Sequence, residues 1–116
     1  MKLTFQQDAI LNGINIVLKA VPSKTTMSIL ECILIDASSN EIRLTGNDME
    51  LGIETKVEGQ ILEHGKIALD AKLFSEITRR LSSQNSTITI ESDQKLNTTI
   101  RCENSVFNIQ GRDGEE

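Results

Sequence analysis

The sequence predicts an α+β domain in which two helices pack against antiparallel sheets. Two segments place apolar residues at helical spacing. The remaining apolar runs are short, alternate with polar residues and end at turn-forming clusters, as strands do. The order also repeats: strand, helix and three strands, then the same again. A chain of 116 residues with this pattern is expected to form one domain, residues 1–116.

The first element is a strand over 2–6, where Leu3 and Phe5 alternate with Lys2, Thr4 and Gln6. Asp8 is placed to cap the helix that follows. Ile10, Leu11, Ile14, Val17, Leu18 and Val21 share one face of that helix, and Asn12, Asn15 and Lys19 share the other. Gly13 weakens it. Pro22 and the polar run Ser23-Lys24-Thr25-Thr26 end it in a loop.

Three strands are expected next, over 31–37, 41–45 and 49–57. Ser38-Ser39-Asn40 and Gly46-Asn47-Asp48 form the turns between them. The second half opens with a strand over 66–69. Asp70 is a candidate cap for a helix over 71–82, with Leu73, Phe74, Ile77 and Leu81 on its apolar face. Strands over 86–92, 98–103 and 105–110 complete the chain, with turns at Asp93-Gln94-Lys95 and near Asn104.

Composition narrows the function. The net charge is −5, so grip on a polyanion cannot come from bulk charge and must rest on a local basic surface. There is no Trp or Tyr to stack on unpaired bases, which favours a duplex over single strands. Cys32 and Cys102 lie in strand-like runs without metal-ligand spacing, and are expected to be buried free thiols. His64 is the only histidine and sits beside Gly65, in the setting of a loop residue. The glycines are scattered singly and form no phosphate-binding loop. Asp48 and Glu50 could pair for acid–base work, but a turn explains Asp48 more simply. No catalytic group, metal or cofactor is expected. No apolar run is long enough to cross a membrane, and a cytoplasmic protein is expected.

The polar helix faces are the candidate site. Lys72 and Arg79 are two turns apart and point the same way, with Glu76 between them. Lys19 lies on the polar face of the first helix, and Lys24 follows in the loop. Arg80 borders the apolar stripe and is a weaker candidate. These cations could line a surface that meets phosphates. They are sparse, which suits a protein that must slide, since every neutralised phosphate strengthens binding. Solvated helix faces are the plainer alternative.

Several segments carry a family resemblance. The chain opens Met1-Lys2-Leu3-Thr4-Phe5. Val17-Leu18-Lys19-Ala20-Val21 leads to Ser23-Lys24-Thr25-Thr26-Met27-Ser28-Ile29-Leu30. Leu44-Thr45-Gly46-Asn47-Asp48-Met49-Glu50 follows, then Ala71-Lys72-Leu73-Phe74-Ser75-Glu76-Ile77. Phe107-Asn108-Ile109-Gln110-Gly111 and an acidic tail stand near the end. In this order they resemble the N-terminal domain of the DNA polymerase III beta subunit, the bacterial sliding clamp. Ser28 departs from the proline usual there, which bears on the rigidity of the loop holding Lys24.

The resemblance implies a DNA-clamp domain from a chain of three such domains, two chains closing head to tail as a homodimer ring. Helices would line the hole around double-stranded DNA, and sheets would form the rim. It implies a processivity factor without catalysis. Lys24 matches a position where the family places a DNA-touching basic residue. It also implies that Phe107 and Ile109, with Ile77 and Leu81, meet the neighbouring chain; packing in the domain's own core is the alternative. DNA polymerase III and the clamp loader would bind through domains beyond this one, and the chain is expected to be a fragment. A protein-interaction module without DNA contact is the rival reading. It predicts no clustering of cations once the helices are placed.

Overall fold

The computed structural model describes residues 1–21, 31–47, 52–81, 86–103 and 105–113. The first half contains β1 (Lys2–Gln6), α1 (Gln7–Val17), a 3₁₀ turn (Leu18–Ala20), β2 (Cys32–Ala37), β3 (Ile42–Asn47) and β4 (Gly52–Val57). A short strand, β5 (Gln60–Glu63), links it to the second half. There β6 (Gly65–Asp70) and α2 (Ala71–Arg80) precede β7 (Thr87–Ser92), β8 (Asn97–Cys102), β9 (Ser105–Gln110) and β10 (Arg112–Asp113). The α+β class and the presence of both helices are as the periodicity predicts, but α1 gives way to the 3₁₀ turn after Val17, so Leu18, Lys19 and Val21 lie beyond it, and α2 ends at Arg80. Gly46 and Asn47, expected in a turn, instead extend β3 and pair with Ile53 and Gly52 of β4, because backbone pairing continues past the alternating apolar run. Pro22 to Thr26, Asp48 and Asn104 of the expected loop and turn segments lie outside the described residues, as does the start of the third strand, Met49 to Leu51.

Two five-stranded antiparallel sheets form, in the orders β5-β1-β7-β8-β9 and β10-β6-β2-β3-β4. The two orders correspond under exchange of the halves. Each half gives its first strand to the sheet built by the three strands that follow the other half's helix. β1 pairs with β7 from Lys2↔Glu91 to Gln6↔Thr87, and β6 pairs with β2 from Cys32↔Asp70 to Ala37↔Gly65. Each helix carries the chain from one sheet to the other. Neither half can therefore complete its sheet alone.

β5 and β10 have no counterpart in the sequence pattern. Both are short edge strands, and β10 has no apolar residue to mark it. α1 also starts earlier than expected. Its N-cap is Gln6, which makes no side-chain cap bond, so Asp8 does not cap the helix. Instead Asp8 lies in the first turn, where a negative charge suits the helix dipole, and its carboxylate accepts a bond from the Ala9 amide at 2.9 Å. α2 does use its expected cap: the Asp70 carboxylate accepts from the Leu73 amide at 2.9 Å. Asp70→Ala should cost about 1 kcal/mol of stability. Urea unfolding checks this, and an unchanged midpoint would remove Asp70 from the helix start.

The core lies between the sheets and the helices. Ile10, Ile14 and Val17 enter it from α1, Phe74 and Ile77 from α2, and Leu3, Phe5, Ile33, Ile35, Leu69, Ile88 and Ile90 from the strands. Leu73, expected on the apolar face of α2, is 43% exposed instead. Gly13 is a close-approach residue. A Cβ there would stand 2.7 Å from Val57 Cγ2, so the glycine that weakens α1 lets it sit tight on β4. Cys32 and Cys102 are buried and free, as expected.

Candidate functional site

With their apolar sides in the core, α1 and α2 turn their polar sides outward on one layer. Asp8, Asn12 and Asn15 of α1 are exposed there, as is Lys19 in the 3₁₀ turn. Lys72, Glu76, Arg79 and Arg80 of α2 are exposed as well. On the two helices and the 3₁₀ turn, four cations thus stand against two carboxylates, in a chain whose net charge is −5, with Asp70 and the half-buried Glu31 beside Lys72 and Arg79. Of the expected contact residues, Lys19, Lys72 and Arg79 therefore share this layer. Arg80 joins them, because its position at the edge of the apolar stripe leaves it exposed. Lys24 lies outside the described residues.

The pairing of these cations differs from that of the cations on the sheets. On the strands, Lys2 pairs with Glu91 at 3.9 Å and Lys66 with Asp36 at 3.8 Å. Arg43 lies between Glu41 at 2.8 Å and Glu54 at 3.0 Å, and Lys56 reaches Glu41 at 3.0 Å. Hydrogen bonds from Arg43 and then Lys56 hold the Glu41 carboxyl below the usual carboxylate range. On the helix layer, Lys19, Lys72, Arg79 and Arg80 form no ion pair among the described residues. Arg79 has one polar partner there, a neutral one: its Nη2 donates to Asn15 Oδ1 across the two helices at 3.3 Å. Sequence reasoning gives no sign of Asn15 as a partner, because it is 64 residues away along the chain.

A depression of about 420 Å³ opens between the 3₁₀ turn and α2. Lys72 and Arg79 stand on its wall with Glu31, Asp70 and Glu76. Three carboxylates against two cations make it a poor seat for an anion. No group of three or more metal-ligating side chains occurs among the described residues. No described helix is long and apolar enough to cross a membrane.

Ile77, Leu81 and Ile109, expected at a subunit boundary, are 5%, 3% and 7% exposed and belong to the core cluster. Phe107 is half-buried against that cluster. It shares a strand face with Ile109, as alternation requires. β9 is the last strand of its sheet, and Val106, on its opposite face, is 51% exposed.

Comparison with known proteins agrees with this architecture. A family model described as the DNA polymerase III beta subunit, N-terminal domain, matches residues 1–116. The beta sliding clamp of Bacillus subtilis (strain 168) is 39% identical over all of this chain, which covers 32% of that protein. The beta sliding clamp of Halalkalibacterium halodurans is 38% identical with the same coverage. Among solved structures, a chain from Eubacterium rectale ATCC 33656 assigned to the DNA polymerase III beta subunit superposes with a TM-score of 0.96 at 58% identity. The match takes in 99% of this chain and 31% of that one. The DNA polymerase sliding clamp of Bacillus subtilis gives 0.93 at 36% identity, over 100% of this chain and 32% of its own. The chain thus spans about a third of the length of the relatives it matches. By sequence along its whole length and by the course of its backbone, this chain belongs to the DNA polymerase III beta subunit family, as its N-terminal domain.

Proposed function

We propose that the helix layer lies along double-stranded DNA, as one segment of a sliding clamp that holds the replicative polymerase on its template. The observation that carries this reading is the segregation of the cations. Among the described residues, Lys2, Arg43, Lys56 and Lys66 on the sheets are paired with carboxylates, whereas Lys19, Lys72, Arg79 and Arg80 on the helix layer form no ion pair. Unpaired cations spread thinly over a rigid layer attract phosphates without reading bases. Sparse contacts also leave the duplex free to move. Nothing in this role breaks or forms a bond, so the domain acts as a non-catalytic processivity subunit in the cytoplasm.

The remaining parts of the proposal follow the family. The ring is a homodimer of longer chains, and Lys24 joins Lys19, Lys72 and Arg79 on the DNA side. The free edge of β9 meets the neighbouring chain, with Phe107 in the joint and Ile109, Ile77 and Leu81 backing it from the core. DNA polymerase III and the clamp loader dock on other domains.

The salt dependence of duplex binding tests the helix layer. Replacing Lys19, Lys72 and Arg79 together with glutamine should weaken binding and flatten the slope of log affinity against log salt. The flattening should be about 0.9 for each phosphate no longer neutralised. The same substitutions at the paired Lys56 and Lys66 should leave the slope nearly unchanged. Equal effects from both sets would remove the helix layer from the DNA.

A further inference from the structure

We propose that Asn15 and Arg79 together form a seat for a single backbone phosphate, built across the seam between α1 and α2. This rests on the helix layer facing a duplex, and it assigns to Asn15 a role that charge alone does not suggest. A guanidinium has donors only, so the oxygen of the Asn15 amide faces Arg79, as the 3.3 Å contact shows. The amide's NH₂ is then left beside the guanidinium as a further donor. Both residues are exposed. Donors from two helices thus converge on one patch of surface. That is the arrangement a phosphate, with several acceptor oxygens, can bridge.

The identity of the partner decides the charge. Arg43 shows what a carboxylate does: held by Glu41 and Glu54 at 2.8 and 3.0 Å, its charge is cancelled locally. A neutral amide orients Arg79 without cancelling its charge as a directly bonded carboxylate would, although Glu76 stands one turn away. An oriented fork loses less side-chain freedom on binding than a free one. Lys19, one turn beyond Asn15, and Lys72, two turns before Arg79, would flank the seat as unpaired point charges.

The test is a titration of the ¹⁵N-labelled chain with a short duplex at low ionic strength, where non-specific binding near 10⁻⁴ M is expected, on the order of ordinary protein–DNA contact. The Asn15 side-chain amide and Arg79 Nε–H signals should shift together. Asn15→Ala should weaken binding about threefold to tenfold, the worth of one ordinary solvent-exposed hydrogen bond. Asn15→Asp keeps the shape but should weaken binding more, since its carboxylate would claim Arg79 and repel the phosphate. The double variant Asn15→Ala/Arg79→Ala should lose less than the sum of the two single losses, because each residue positions the other. Both sites are exposed, so thermal midpoints should stay near that of the parent chain.

Asn15→Asp binding as tightly as the parent, or additive effects of the two alanine variants, would overturn the seat while leaving the helix layer in place. A duplex that shifts no helix-layer signal, with Lys19→Gln and Lys72→Gln also silent, would overturn the layer itself.

Discussion

Replacing Phe74 with alanine should lower the unfolding free energy by about 3–5 kcal/mol. Phe74 is fully buried, and it is the one large aromatic on α2. Its companions on the buried side of that helix are Ala71, Ser75, Ile77 and Thr78, and only Ile77 among them fills comparable space. The core around it is rich in Ile on strands, whose branched side chains are stiff and close poorly over a cavity. The cost therefore falls toward the upper part of the usual range for such truncations. Domains of this size are stable by only about 5–15 kcal/mol, so much of the total would be lost. Urea denaturation should show a lower midpoint with an unchanged slope. Leu73→Ala, at the neighbouring and largely exposed position, should cost under about 1 kcal/mol. Equal losses at the two sites would mean that α2 is not anchored as described. The functional consequence is direct, because Lys72, Arg79 and Arg80 are held in one layer only while α2 is seated.

Gly46→Ala should cost about 2–3 kcal/mol, a large effect for one methyl group. Gly46 lies in β3 beneath the end of α1. A Cβ there would stand 2.4 Å from the Val17 carbonyl oxygen and 3.0 Å from Val21 Cγ2. The first atom belongs to the backbone, so no rotamer change relieves the clash, and the helix end must move. The 3₁₀ turn that carries Lys19 would move with it. Gly13→Ala provides the comparison. Its added Cβ meets the side chains of Val57 and Leu44, and the helix gains roughly 1 kcal/mol in propensity from the same change. It should therefore cost clearly less than Gly46→Ala. A reversed order in thermal or urea unfolding would refute the backbone contact at Gly46.

Much of this fold is legible in the sequence because it is local. The 3.6-residue spacing of Ile10, Ile14 and Val17 fixes which side of α1 is buried, and hence that Asn15 and Lys19 are outside. Alternation in 86–92 and 98–103 marks strands with one buried face, within a residue of those that form at 87–92 and 97–102. Asp70 two residues ahead of Lys72 reads as a helix start, and it caps. The ordered family segments supply the fold and the proposed role together. Local reading fails where signals are weak or competing. β5 and β10 pair at sheet edges, where backbone bonding decides and apolar pattern contributes little. Leu73 resembles a core residue by type, but the turn of α2 carries it to the surface. Asp8 resembles a cap, but the helix begins before it. Ile77 and Leu81 are apolar on any reading, and the sequence does not say whether a partner or the domain's own core covers them.

The sequence by itself determined the segments, the buried side of each helix and the family, since these follow from the order and spacing of neighbouring residues. Only the tertiary structure decided the exchange of β1 and β6 between the sheets, the contact of Asn15 with Arg79, and the division between paired and unpaired cations. Each of these joins residues far apart in the chain, and their approach is set by how the sheets and helices pack as a whole.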